Sequence, residues 1–289
     1  MKKIPVLRCL LPWKRTPRCV LIVLIGLPSV ALAQFADTFD TISPAWTTDR
    51  YDPAGFQSAS FLGDNRLQIT IDQSGSTLNR PAPTYSASFY NTQGESRPGG
   101  ITGDWTLSAE VYVSSAFDTT TGQLVRSSLW AHAGDTPTTG DYAIFGFTNA
   151  SPTDPLNPDA SDRSFQFQIF GGSDADPNGW FDAGAPNGFA FDAWHSIEII
   201  STGTAFAYLL DGQLVYTDTT AIGAGLQTVS LQAYNFGQTD SNGLNNYSVY
   251  WDNAMATASI PEPASFALAA GLTTLGLIWK HRRARLFCP

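Results

Sequence analysis

The chain has 289 residues and a formal net charge of −9, but the charge is unevenly placed. Residues 1–33 hold six Lys/Arg and no acid, residues 261–289 hold four Lys/Arg and one Glu, and the lysine-free interval between them holds six Arg against 24 Asp and Glu, a net −18. Such an acidic body is a poor partner for nucleic acid, where binding rests on neutralised phosphates, and with no long apolar run between its two ends it does not fit a multi-pass membrane protein.

Lys2, Lys3, Arg8, Lys14, Arg15 and Arg18 precede the apolar stretch VLIVLIGLPSV at Val20–Val30, and Ala31-Leu32-Ala33 follows it. A cationic start, a short apolar core and a small-x-small site predict a secretory signal peptide over residues 1–33. The core is too short for a stable span. Signal peptidase is expected to read Ala31 and Ala33 and to cut before Gln34.

The body, residues 34–259, alternates with a period of two. Leu67, Ile69 and Ile71 alternate with Arg66, Gln68 and Thr70; Trp105, Leu107, Ala109, Val111 and Val113 with Thr106, Ser108, Glu110 and Tyr112. Phe165, Phe167 and Ile169 bracket Gln166 and Gln168, and the same pattern returns in Val229–Tyr234 and Tyr247–Asp252. Each such run predicts a strand with one dry and one wet face, as in antiparallel sheets. Asp211-Gly212, between Ala205–Leu210 and Gln213–Thr217, predicts a two-residue hairpin. About 12 to 14 strands separated by Gly, Pro, Asn, Asp and Ser clusters call for two packed sheets. The fold class is therefore all-β, a two-sheet antiparallel sandwich.

Phe35–Trp46 (FADTFDTISPAW), Trp105–Val113, Trp194–Thr202 (WHSIEIIST) leading into AFAYLLDGQLVY, and Tyr247–Asn253 (YSVYWDN) resemble the concanavalin A-like lectin/glucanase group, which includes laminin-G-like domains. That resemblance implies a jelly roll spanning nearly the whole body. It also implies sugar chemistry and, in many members, a calcium ion where the first and last strands meet.

At the other end, Pro261-Glu262-Pro263 is followed by the uncharged segment 264–279 and by Lys280, Arg282, Arg283 and Arg285 within the tail 280–289. Sixteen residues rise about 24 Å as a helix against a hydrocarbon core of ~30 Å. Trp279 at the interface and a snorkelling Lys280 extend that reach, so a single transmembrane helix is expected, its basic end in the cytoplasm. The three features in this order resemble the PEP-CTERM sorting signal of Gram-negative bacteria. The resemblance implies transient anchoring in the inner membrane, recognition of residues 260–289 by an exosortase, and transfer of the body to the cell surface or extracellular matrix. Cys9, Cys19 and Cys288 all lie in these two terminal segments, so the body has neither disulfides nor cysteine-bound metal.

Glycoside cleavage needs two carboxylates about 5–10 Å apart. The laminarinase-like enzymes of this group carry them as Glu-x-Asp-x-Glu on one strand face. The three Glu of the body, Glu95, Glu110 and Glu198, have no second acid within five residues downstream, so no catalytic residues are assigned. Sugar binding uses aromatic faces and amide hydrogen bonds, and Trp130, His132, Tyr142, Trp180, Tyr234 and Asn235 are the candidates. No cofactor is required; a structural Ca²⁺ is the ion that an oxygen-only ligand set suits, with Asp37, Asp40 and Asp252 as its expected ligands. The reading is an exported, surface-sorted protein whose non-catalytic sandwich binds extracellular polysaccharide. A glycoside hydrolase or polysaccharide lyase on the same fold is the alternative, and a ligand-free structural surface protein the second.

Overall fold

The structure, a computed structural model, describes residues 33–72, 92–118, 123–136, 139–150, 163–170, 180–219, 225–236 and 246–259. The sorting motif, the predicted membrane helix at 264–279 and the signal peptide up to residue 32 lie outside them. Among the described residues no helix is long and apolar enough to cross a membrane. All of them fall in one unit, Val30–Ile260.

Among the described residues fifteen strands follow one another: β1 Ala33–Asp37, β2 Thr47–Thr48, β3 Gly55–Phe61, β4 Asp64–Ile71, β5 Thr92–Ile101, β6 Trp105–Val113, β7 Arg126–Thr136, β8 Thr139–Thr148, β9 Gln166–Phe170, β10 Trp180–Asp182, β11 Ala193–Ser201, β12 Phe206–Leu210, β13 Gln213–Asp218, β14 Leu226–Tyr234 and β15 Tyr247–Ala258. They form two sheets. The first runs β13-β12-β11-β6-β15-β4-β3, with β1 added against β15; the second runs β10-β9-β8-β7-β14-β5-β2. Every pairing is antiparallel. The predicted all-β sandwich is the observed fold.

The alternation of β6 places Leu107, Ala109, Val111 and Val113 in the core beside Ile197, Ile199, Ile69, Val249 and Trp251 of the neighbouring strands. They pack on Leu129, Phe145, Phe147, Phe167, Val229 and Leu231 of the second sheet. Asp211 and Gly212, both at positive φ, close the expected hairpin between Leu210 and Gln213. A second hairpin of this kind turns at Leu62-Gly63, where Leu62 holds φ 52° and is 67% exposed.

The sheets are also tied by the polar tips of core aromatics. Trp105 Nε1 donates to the Gly225 carbonyl at 2.8 Å, Tyr208 Oη to Phe170 O at 3.2 Å, and Trp251 Nε1 to Ser127 Oγ at 2.9 Å. The Tyr247 hydroxyl accepts from Tyr234 N at 2.9 Å and lies 3.0 Å from the Arg126 carbonyl. Large aromatics can be buried whole because each tip finds such a partner. Two of these ties end on neighbouring residues of β7, Arg126 and Ser127, and so fix the strand that runs through the middle of the second sheet.

Expectation and structure part over the second sheet. The first sheet has the predicted wet outer face: Thr106, Ser108, Glu110 and Tyr112 are half-buried. In the second sheet the face away from the core is buried as well. Gln166, Gln168, Ser230, Gln232 and Tyr234 are all buried although their strands alternate apolar and polar.

Candidate functional site

Directly opposed residues of neighbouring strands share a face, so register lays out the non-core face of the second sheet row by row. His132 of β7 pairs with Tyr142 of β8 and Thr228 of β14. One step along lie Ser230, Trp130, Ile144, Phe170 and Trp180. The next row is Gly94, Gln232, Ser128, Gly146, Gln168 and Asp182. The last holds Arg126, Thr148 and Gln166, with Tyr234 beside Arg126. An aromatic band thus borders a band of glycine, serine and amide side chains, which in turn borders a guanidinium.

Five of the six predicted binding residues meet on this face. His132 stacks on Tyr142 with ring centroids 4.7 Å apart, Trp130 meets Tyr142 edge-on at 5.9 Å, and Trp180 packs on Phe170 at 5.2 Å. Tyr234 stands by Arg126 at the far end. Asn235 does not join them. It lies just past the end of β14, one residue beyond Tyr234, and its amide donates to Gln93 Oε1 at 3.1 Å while fully buried. Burial raises the Tyr142 phenol above its ordinary value and lowers the His132 imidazole, so the His132 ring tends to the neutral form suited to stacking.

Several participants carried no sequence signal. The guanidinium of Arg50 lies 4.7 Å over the Trp130 ring, pairs with Asp49 at 2.7 Å, and donates to Gln232, whose amide in turn reaches Asp49. Arg126 is 3% exposed, and its guanidinium lies 4.0 Å over the Trp180 ring and 5.3 Å over that of Tyr234. Its Nη2, both side-chain atoms of the Gln166 amide and Gln168 Oε1 are buried without a hydrogen-bond partner. Buried polar groups are ordinarily satisfied, so a cluster of open ones on a single face asks for a polar visitor. Gly94 and Gly146 have a steric origin: a Cβ there would come within 2.2 Å of Leu231 O and 2.0 Å of Ser127 O.

Acids on this face are few among the described residues. Asp49 is tied to Arg50 and Gln232, and Asp182 accepts the Gly184 amide at 2.7 Å. The central strand β7 presents Arg126, Ser128, Trp130 and His132 on this face. Of the three Glu, Glu110 accepts from Asn253 at 2.7 Å and Glu198 is half-buried on the outer face of the first sheet, its carboxyl raised by burial.

The three expected calcium ligands do not converge. Asp37 accepts from Phe39 N at 3.0 Å and from Trp46 Nε1 at 2.8 Å, with Arg97 3.5 Å away; Asp252 is ion-paired with Arg66; exposed Asp40 accepts from Thr38 Oγ1. Among the described residues no group of three metal-ligating side chains forms. Protein donors engage Asp37, and Arg66 holds one oxygen of Asp252 while its Oδ1 has no hydrogen-bond partner among the described residues. Of the predicted cleavage-site residues, Ala33 and Gln34 open β1, and Ala31 lies outside the described residues.

The outer face of the first sheet carries an aromatic row that the sequence reading did not single out. Phe61 stacks on Tyr250 at 3.8 Å, and Tyr112 stands edge-on to Trp194 at 5.7 Å, with Arg66 over Trp194. His195 next to it is structural: buried, with Nδ1 2.8 Å from Asp211 and Nε2 2.8 Å from the Ala190 carbonyl.

No family model matches the sequence, and no curated protein matches it. Solved structures do match the fold. A family 16 glycoside hydrolase endo-glucanase of Bacteroides ovatus, in complex with G4G3G-2F-DNP, superposes with a TM-score of 0.51 at 13% identity, over 77% of this chain and 99% of the enzyme. The family 16 enzyme of the Bacteroides ovatus mixed-linkage glucan locus, in complex with its G4G4G3G product, gives 0.50 at 12% identity, over 77% and 98%. A sialidase aligns over 81% of this chain, which spans 19% of the sialidase's length, with a TM-score of 0.46 and 12% identity. The fold is thus the concanavalin A-like jelly roll.

Proposed function

We propose that this is an exported, surface-sorted protein whose sandwich binds polysaccharide without cleaving it, on the non-core face of the second sheet. The observation that carries the reading is the make-up of that face: Trp130, Tyr142 and Trp180 beside the buried open polar atoms of Gln166, Gln168 and Arg126. Rings offer apolar planes to the C–H faces of pyranoses, and open amide and guanidinium groups await hydroxyls. The likeness to enzymes solved with glucan oligosaccharides agrees with a sugar ligand. The non-catalytic reading is supported by Asp49 being neutralised in an ion pair and by β7 carrying no acid on this face among the described residues.

Export and sorting rest on the terminal segments. Signal peptidase would remove residues 1–33, an exosortase would act near Pro261-Glu262-Pro263, and the body would pass to the cell surface or matrix. The strands agree with this division to within one residue: β1 begins at Ala33, the last residue of the predicted signal peptide, and β15 ends at Ala258. Ala33 faces Thr257 across the β1–β15 ladder, so the chain enters and leaves the sandwich side by side.

The test is affinity electrophoresis of the full chain, held in detergent, against neutral and acidic polysaccharides, with reducing ends and unsaturated sugar absorbance followed in parallel. Retardation by at least one polysaccharide without product is the expected result. Steady product release would establish the hydrolase or lyase alternative instead.

A further inference from the structure

Arg126 is an unusual residue to bury. It lies between the rings of Trp180 and Tyr234, is 3% exposed, and has no carboxylate against it among the described residues. Burial lowers its pKa to about 10, which still leaves the guanidinium charged at neutral pH. An ion taken out of water without a counter-ion is costly, and folds ordinarily pair it or omit it. Its ring contacts offset part of that cost; Nη2 stays unsatisfied.

The surrounding open groups define what is missing. Arg126 Nη2 and Gln166 Nε2 are donors, one of them charged, while Gln166 Oε1 and Gln168 Oε1 are acceptors. Arg126 and Gln166 are linked across the sheet through Thr148, and Gln168 follows two residues along β9. A neutral sugar would supply hydroxyls to the acceptors and leave the charge unanswered. A sugar carrying a carboxylate beside its hydroxyls would answer both.

We infer that the binding face accommodates a uronate residue of an acidic polysaccharide, with its carboxylate on Arg126 and Gln166 and its hydroxyls on the two glutamine carbonyls. The inference rests on the reading of this face as a glycan site and narrows its ligand. The net charge of −18 on the body does not oppose it at close range. Long-range repulsion is screened beyond about 8 Å at physiological salt, whereas a buried pair is screened far less. The acidic body instead discourages unspecific capture of polyanions, so selectivity falls to this one guanidinium.

The experiment compares oligogalacturonate with its methyl ester, which keeps the sugar and removes the charge. Binding to the full chain in detergent is measured calorimetrically at physiological salt. The acid is expected to bind about tenfold or more tightly than the ester, as a charge-assisted contact predicts. Arg126→Gln is expected to abolish that preference, so that the variant binds acid and ester alike. Should the variant not fold, the acid-to-ester ratio of the unaltered protein decides alone. Equal affinity for acid and ester, or preference for a sulfated galactan over the uronate, would overturn the inference and leave the glycan site standing. No binding of any neutral or acidic glycan would remove both.

Discussion

Replacing Tyr247 by Phe removes one oxygen from the core and tests how the sheets are tied. Tyr247 belongs to the first sheet, but its hydroxyl accepts from Tyr234 N and lies against the carbonyls of Arg126 and Tyr234 in the second. Burial raises the phenol far above its ordinary value, so it stays a donor throughout the accessible pH range. Phe keeps the ring and its packing. What is lost is a net contribution of about 1 kcal/mol per hydrogen bond, together with about 1–3 kcal/mol for a buried N–H left without an acceptor. A loss of about 2–4 kcal/mol follows. At 2–4 °C per kcal/mol for a domain of this size, Tm should fall by roughly 5–15 °C. Urea unfolding should show a lower midpoint with an unchanged slope, since the exposed surface is the same. A variant within about 0.5 kcal/mol of the parent would refute the view that polar tips of core aromatics hold the two sheets in place.

Three further changes probe other links. Leu62→Asn relieves a positive φ in an exposed hairpin, and should raise stability by about 0.5–1 kcal/mol in thermal melts. Gly146→Ala drives a Cβ into the backbone of β7 and should cost about 1–3 kcal/mol in urea titrations, with a loss of glycan affinity because the face is distorted. Glu95 has its carboxyl raised by burial and then by the charge of Asp52, so the folded state holds that proton more tightly than the unfolded chain does. Its ionisation therefore costs stability at neutral pH, and this cost disappears as pH falls through the raised value toward about 4, the ordinary carboxylate range. Melting curves of Glu95→Gln against pH should show a small gain at pH 7, below about 1 kcal/mol for a half-exposed group, that vanishes near pH 4.

The strands were legible because their physics is local. Trp105–Val113 alternates without exception, and Asp211-Gly212 meets the demand of its turn for positive φ. Leu62-Gly63 folds into the same kind of turn with a residue that gives no hint of it. The proposed binding face was legible only in its aromatics. Gln166 and Gln168 alternate with apolar neighbours just as solvent-facing residues do, and alternation assigns a face without saying whether water reaches it. Arg126 sits in sequence between Val125 and Ser127 with no pattern around it; its meaning comes from Trp180 and Tyr234, which arrive from other strands. Asn235, one residue of parity beyond Tyr234, lies off that face. Asp37 and Asp252 look available in sequence, and only the fold brings Trp46 and Arg66 to occupy them.

The central claim is that the second sheet, and not the first, presents the polysaccharide site. Each sheet has its own aromatic surface, so single alanine variants in a glycan titration of the full chain can tell them apart. Trp130→Ala should weaken binding about tenfold, equivalent to about 1.4 kcal/mol, and Trp194→Ala on the opposite sheet should leave affinity unchanged. Affinity lost with Trp194 and kept without Trp130 would contradict the account.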